Sequence, residues 1–184
     1  FRALAARANY LAADRPDVMF AAKEICRLMA KPTDLAMAAL KRLGRYLRMY
    51  PRLVFSMPFQ SADTWDVYTD TDWAGCGRTR KSTSGGCLML GKHVIKCWSA
   101  TQASLALSSG EAEFYGVVNA SGVGLGYGAL LGDVGAYLPS RVRTGSAATI
   151  GICGRQGLGK LRHIDTQCLW IQQRVRDHTL TLFK

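Results

Sequence analysis

The sequence lacks the features that would indicate a membrane protein or a cysteine-based metal scaffold. No run of about 18 apolar residues occurs in the 184 residues, so we expect no membrane partner. The six cysteines form no C-x-x-C pair and have no zinc-finger spacing, which argues against structural zinc. Without a secretion signal they are expected to be reduced thiols, and the protein is expected to be intracellular, either cytoplasmic or nuclear. The start, Phe1-Arg2-Ala3-Leu4, has no initiator methionine, which suggests a piece of a longer protein.

Two common nucleotide and hydrolase motifs are incomplete or missing. The segment 154–160 has the glycine spacing of a phosphate-binding loop, but the Ser or Thr required next is Leu161. The G-x-S-x-G motif of a nucleophile elbow does not occur. We therefore do not expect a P-loop nucleotide site or a serine hydrolase.

Basic residues are abundant, and their distribution is uneven. The chain has 24 Lys and Arg against 13 Asp and Glu, a net charge of +11. Residues 1–60 carry 11 basic and 4 acidic side chains, residues 61–140 carry 5 and 7, and residues 141–184 carry 8 and 2. Basic flanks suit a phosphate backbone and an acidic centre suits a divalent metal ion, although such charges also serve simply to solubilise a surface.

The apolar pattern divides the chain into two parts. The first 50 residues have helical periodicity, with helix starts predicted at Arg15-Pro16-Asp17 and Pro32-Thr33-Asp34. This pattern ends near residues 56–63. We predict a helical segment at 1–60 and a second domain at 61–184.

The second part has the order of an α/β domain. Strands are predicted at 66–69, 86–90, 94–98, 142–144 and 179–183, and helices at 109–131, 147–153 and 165–177. Three consecutive strands, a helix, a further strand, helices and a last strand predict an α/β fold with a mixed sheet flanked by helices.

Four carboxylates of the acidic centre lie close to predicted element ends. Asp70 and Asp72 end the first strand, and Glu111 and Glu113 lie in the first turn of the long helix. Helix side chains two positions apart point about 200° apart, so only one glutamate can face a given site. A strand-end aspartate beside a helix glutamate suits Mg²⁺. Such acids also commonly cap helices or face water.

The amino-acid sequences of several segments resemble the ribonuclease H domain of copia-type retrotransposon polyproteins. Others resemble the C-terminal end of the reverse transcriptase that precedes this domain. The ribonuclease-like segments are Tyr68–Gly75 (YTDTDWAG), Thr79–Gly85 (TRKSTSG), Ala106–Phe114 (ALSSGEAEF) and Arg162–Asp165 (RHID). The upstream segments are Asn9–Ala12, Arg15–Val18 and Leu40–Leu47. The resemblance covers nearly the whole chain, in the order and spacing of the family.

The resemblance implies a ribonuclease-H-like fold that hydrolyses the RNA strand of an RNA–DNA hybrid with two Mg²⁺ or Mn²⁺ ions. Asp70 corresponds to the first metal-binding carboxylate and Glu113 to the helix glutamate, so both are expected to be catalytic. Asp72 and Glu111 then become supporting or solvated acids. The implied partners are the hybrid and the upstream reverse transcriptase domain of the same polyprotein.

One position departs from the family. The family has an aspartate after the fourth strand, where this chain has Gly145. The fourth carboxylate is expected beyond Lys184, so the ribonuclease domain is expected to be C-terminally truncated. Asp165 is the remaining late candidate for a catalytic acid, with an N-cap of the helix 165–177 as the simpler interpretation.

The long helix also contains many glycines, each of which lowers helix propensity by ~1 kcal/mol relative to alanine. With the missing ligand, this predicts a weak or inactive enzyme. The alternatives are a catalytically dead nucleic-acid-binding module and a decayed fragment of the element.

A loop of basic and hydroxyl residues joins the first two strands of the second part. The residues are Arg78, Arg80, Lys81, Ser82 and Thr83, which are types that commonly contact phosphates. We expect them to bind nucleic acid, and a merely solvated loop is the alternative. His163 is expected to make a structural hydrogen bond, and a mobile proton carrier near a leaving group is the alternative.

Overall fold

The computed structural model describes residues 1–157, 159, 163–164 and 166–184. They form two compact units, Phe1–Ser56 and Met57–Lys184. The candidate acid Asp165 lies outside the described residues. No helix among the residues described is long and apolar enough to cross a membrane.

The first unit is helical, as the periodicity predicts. Its helices are α1 (Arg2–Leu11), α2 (Pro16–Cys26) and α3 (Asp34–Met49). Buried alanines of α1 pack with apolar side chains of α2 and α3 in one cluster, which includes Ala5, Ala22, Ile25, Leu40 and Leu43. The buried Arg15 guanidinium donates to Asp17 at 2.8–2.9 Å and to the carbonyl of Tyr50 at 2.9 Å, which links the start of α2 to the end of α3.

The second unit contains a five-stranded mixed sheet. The strands are β1 (Trp65–Asp72), β2 (Thr83–Leu90), β3 (His93–Thr101), β4 (Ser140–Thr144) and β5 (Leu180–Phe183), in the order β3-β2-β1-β4-β5. β1 pairs antiparallel with β2 and parallel with β4, while β5 is parallel to β4. A parallel neighbour requires a crossover connection, which the helices between these strands provide.

The helices of this unit are α4 (Ser109–Asp133), α5 (Ala147–Gly154) and α6 (Trp170–Arg176), with a 3-10 turn at Thr166–Leu169. The predicted α/β fold, with a mixed sheet flanked by helices and a preceding helical segment, is thereby confirmed. β1 extends three residues beyond the predicted end, because Asp70–Asp72 continue the ladder with β2. The predicted helix at 165–177 is instead a 3-10 turn followed by α6 among the residues described there.

The long helix α4 packs on one face of the sheet. Phe114, Val117 and Ala120 are fully buried against Val67 and Val142 in the main core cluster.

Two of its glycines have a packing reason that the sequence does not reveal. A Cβ at Gly116 would lie 2.5 Å from Thr71 Oγ1, and one at Gly124 would lie 2.9 Å from Ser140 Oγ. A Cβ at Gly122 or Gly126 would meet nothing within 4 Å. Glycine therefore permits close helix–sheet contact at two positions and only lowers helix propensity at others.

Candidate active site

Two predicted site positions meet at the carboxyl ends of β1 and β4. The strands are parallel with Thr69 opposite Thr144, so the next residues, Asp70 and Gly145, are neighbours at this end. Both line one pocket of about 510 Å³, together with Tyr68, Cys87, Arg143 and Lys184. The sheet register therefore places Gly145 beside Asp70.

Glu113 belongs to the same end of the sheet. Burial, followed by the negative charge of Asp70 and its hydrogen-bonding contact, raises the pKa of the Glu113 carboxyl to about 7. The backbone of Thr71 and the hydroxyl of Thr144 act in the opposite direction. Oxygen Oε2 of Glu113 is buried and has no hydrogen-bond partner among the described residues. A carboxyl pair with one unsatisfied oxygen is a site for a proton or a cation.

The start of α4 is fixed by bonds that hold Glu113 in place. Ser108 caps the helix by accepting from the backbone N–H of Glu111 at 3.2 Å. The side-chain amide of Gln102 donates to the carbonyl of Ala112 and to the hydroxyl of Ser84, both at 2.8 Å. These bonds join the first turn of α4 to β2, next to the end of β1.

Glu111 has a different environment from Glu113. Its side chain is 1% exposed, and Oε2 accepts from the backbone N–H of Leu107 at 2.9 Å. Nε2 of His163 lies 2.8 Å from the same oxygen, so this histidine makes the structural contact expected of it. Because Glu111 is buried and bonded at the helix start, its role is to hold the α4 N-terminus, whereas Asp72 is exposed to solvent.

The basic loop after β1 contains exposed and buried members. Arg78 and Arg80 are exposed, and the ammonium group of Lys81 donates a hydrogen bond to the carbonyl of Ala103. Ser82 is fully buried and its hydroxyl accepts from the backbone N–H of Ala74 at 3.0 Å, while Thr83 begins β2. The two arginines are therefore available to a ligand, and Ser82 stabilises the loop.

The carboxylates can be tested against the metal ions that the family implies. No group of three or more His, Cys, Asp or Glu side chains that could hold a metal is found in the part of the chain that the structure describes. Asp70 and Glu113 have oxygen donors of the type that Mg²⁺ and Mn²⁺ prefer, and the unpaired Glu113 oxygen suits a ligand. The pair fits one shared cation, but with Gly145 alongside it does not supply ligands for two.

Sequence reasoning missed the basic side chains around this pocket. Asp66 accepts from Arg141 at 2.7 and 3.0 Å and from Arg143 at 2.7 Å. Burial opposes ionisation, but these hydrogen bonds hold the pKa of Asp66 below its usual value. The period-2 alternation of Asp66, Tyr68 and Asp70 is the signal that would have placed this cluster on one strand face with the pocket.

Comparisons with known proteins place the chain among transposon proteins. No protein-family model matches it. It is 29% identical over 183 residues to the retrovirus-related Pol polyprotein from transposon RE1 of Arabidopsis thaliana, and 30% identical over 183 residues to that from transposon RE2 of the same plant. These alignments cover 98% of this chain but only 12% and 13% of the two polyproteins.

Among solved structures, LC11-RNase H1 isolated from compost superposes with a TM-score of 0.44 and 16% identity, over 66% of this chain and 83% of that one. The sequence matches extend over almost every residue of the chain, through both the helical unit and the α/β unit. The chain is therefore a homologue of a segment of retrovirus-related Pol polyproteins from transposons, and it spans about one eighth of the length of these relatives.

Proposed function

We propose that residues 57–184 are a ribonuclease H-type domain of a copia-type polyprotein that binds RNA–DNA hybrids, with impaired hydrolysis of the RNA strand in this copy. The observation that carries the proposal is the pairing of Asp70 with Glu113 at the carboxyl end of β1, where the negative charge of one carboxyl raises the pKa of the other. Such carboxylate pairs are typical of metal-assisted phosphodiester hydrolysis.

Within this proposal, Asp70 and Glu113 hold a divalent cation, which would supply charge stabilisation and an activated water. The chain's own contribution is to fix the two carboxyls at the junction of β1 and α4, through the Gln102 bonds and the Ser108 cap. Arg78, Arg80 and Lys81 lie in the loop that follows β1, and we assign them to the phosphates of the hybrid.

We infer the impaired hydrolysis from Gly145, which stands at the expected third carboxylate position. Gly145 carries no ligand, although a Cβ there would meet nothing within 4 Å. The position beside Asp70 therefore accepts the Cβ of an aspartate without steric cost. With only two carboxylates in the described site, the second ion of the family's two-metal chemistry lacks protein ligands.

The test compares the wild type with Gly145→Asp, and with Gly145→Asn as a matched control of equal size without charge. We expect Gly145→Asp to bind Mn²⁺ about tenfold more tightly than Gly145→Asn, by calorimetry, because it adds a carboxylate ligand. We also expect cleavage of a labelled RNA–DNA hybrid to be weak in the wild type and to increase in Gly145→Asp.

Asp70→Asn in the Gly145→Asp background is expected to abolish both gains. Equal Mn²⁺ affinity of the aspartate and asparagine variants would refute the assignment of position 145. Robust wild-type cleavage that Asp70→Asn removes would refute impairment while supporting the ribonuclease assignment. Cleavage that Asp70→Asn leaves unchanged would refute the assignment of the active site to Asp70 and Glu113.

A second candidate function is a non-catalytic nucleic-acid-binding module, and a specific feature of the first unit favours it. Four exposed basic side chains lie on α3 within two turns, and none of them forms an ion pair with the acidic residues that the structure describes; they are Lys41, Arg42, Arg45 and Arg48. An unpaired basic stripe attracts phosphates. Salt-sensitive hybrid binding without cleavage in Gly145→Asp as well as in the wild type would support this function over the enzyme.

The origin of the helical unit and the location of the polyprotein are also proposals. We assign the helical unit to the C-terminal end of the reverse transcriptase, on the resemblance of its segments, and place the polyprotein inside the cell. Matches to Pol polyproteins over 98% of the chain support a position of both units within one such protein.

A further inference from the structure

Two cysteines face each other across the β2–β3 hairpin. Cys87 and Cys97 are directly opposite in the antiparallel ladder, and the Cys97 thiol donates to the sulfur of Cys87 at an Sγ–Sγ distance of 3.5 Å. None of the six cysteines, all of which are described, forms a disulfide in this structure.

The two sulfurs are close enough to form a covalent bond after a small shift of the strands. Opposite residues of an antiparallel pair have Cβ atoms about 4.5–5.5 Å apart, and a disulfide requires about 3.5–4.5 Å. The sulfurs therefore need to approach by about 1.5 Å to reach bonding distance. The ladder has a register shift between Leu88 and Met89, one residue beyond Cys87, so the strands are irregular close to the pair.

The two thiols are half-buried, unlike the fully buried Cys153. Cys87 lies opposite Tyr68 in the β1–β2 ladder and lines the pocket that contains Asp70. A small thiol reagent can therefore approach the pair from the same side of the sheet as the candidate active site.

We propose that Cys87 and Cys97 form a dithiol site, which a small disulfide oxidant such as glutathione disulfide converts into an intramolecular cross-strand disulfide. One cysteine of the pair, as its thiolate, attacks one sulfur of the oxidant, forms a mixed disulfide and releases one glutathione thiolate. The other cysteine then loses its proton and attacks the protein sulfur of the mixed disulfide, which releases the second glutathione. Two protons and two electrons leave the protein, and one glutathione disulfide becomes two thiols.

The short distance between the two sulfurs favours closure of the disulfide. Once either cysteine carries the glutathione, the nearby second sulfur favours the second step over attack by solvent thiols. Burial and the neighbouring Cys97 raise the pKa of the Cys87 thiol, so the reaction is expected to accelerate as the pH rises. In a reducing compartment the site remains a dithiol, in agreement with the expectation from the sequence.

The experiment uses the full chain, incubated with glutathione disulfide at neutral pH, followed by peptide mapping under non-reducing conditions. We expect a peptide linked through Cys87 and Cys97 that dithiothreitol reverses. The linked protein is expected to have a melting temperature several degrees higher, because the bond restricts the unfolded chain.

Single variants test the pairing. Cys87→Ser and Cys97→Ser should each give no linked peptide and should retain a glutathione adduct at the remaining thiol, because the second thiol of the pair is absent. Cys26→Ser, which removes a half-buried thiol of the first unit, is the matched control and should form the link as the wild type does.

Absence of the linked peptide in folded, oxidised wild type would overturn the proposal, as would pairing of either cysteine with a different one. This measurement needs no variant and is independent of nuclease activity.

Discussion

The raised pKa of Glu113 has a direct consequence for the stability of the metal-free protein. Its carboxyl has a pKa of about 7 in the folded chain, compared with an ordinary value of 4.5. The folded state therefore holds the proton more tightly than the unfolded state does. The contribution of Glu113 to the free energy of unfolding is complete below pH 4.5 and is lost as the pH rises through about 7.

The size of this effect follows from the difference between the two pKa values. An increase from 4.5 to about 7 corresponds to at most about 3 kcal/mol of unfolding free energy. The carboxyl is only partly buried, so solvent screening reduces the figure, and we expect about 1–2 kcal/mol.

The measurement is urea unfolding of the wild type and Glu113→Gln between pH 4.5 and 8.5, in the presence of EDTA. Glutamine is neutral at every pH, so the variant should be more stable than the wild type by about 1–2 kcal/mol at pH 8.5. The difference should approach zero at pH 4.5. Subtracting the two curves removes the titration of groups that they share.

Asp63→Asn, which removes an exposed acid in a loop, is the matched control and should leave the pH profile unchanged. If the wild type and Glu113→Gln have parallel profiles, the carboxyl pair does not exist as described.

Mn²⁺ at pH 8.5 should raise the melting temperature of the wild type more than that of Glu113→Gln, because a cation offsets the repulsion between the two carboxylates.

Other predictions concern the sheet, the helix and the loop. Asp66→Asn should lower the unfolding free energy by about 2–3 kcal/mol at pH 7, because two arginines lose their carboxylate, and this cost should vanish as the pH falls below the lowered pKa of Asp66. Gly116→Ala should destabilise by about 1–3 kcal/mol through its clash with the β1 hydroxyl, whereas Gly122→Ala, in open space, should stabilise by about 0.5–1 kcal/mol; thermal unfolding distinguishes the two. Replacing Arg78 and Arg80 with Gln should reduce the slope of log affinity for hybrid against log salt by about 1 per side chain, and an unchanged slope in fluorescence anisotropy would exclude phosphate contact.

Much of the architecture could be predicted because local periodicity determines it. The alternation in β1 and the helical spacing after Ser108 are properties of neighbouring residues, so the element order and the positions of Asp70 and Glu113 follow from them. The limits of elements were less predictable. The ladder with β2 extends β1 to Asp72, although Asp70 and Asp72 are poor strand formers, because pairing with a neighbouring strand outweighs propensity.

The glycines of α4 show a similar limit. Their number alone suggests a weakened helix, yet Gly116 is needed where the helix meets Thr71. Contact between elements distant in sequence determines which glycines are required, and no local pattern contains that information. The same limit applies to Ser82. Serine is a residue type that commonly contacts phosphate, yet this serine is buried within its loop.

By itself, the sequence determined the α/β order, the family resemblance and the absence of an acid at position 145, since each depends on residue type and spacing along the chain. Only the tertiary structure decided which carboxylates share a site. It brought Asp70 and Glu113 together, assigned Glu111 to the helix start and placed Gly145 beside Asp70. The physical reason is that sheet register and helix packing act between residues far apart in sequence, and these contacts set the burial and charge of each acid.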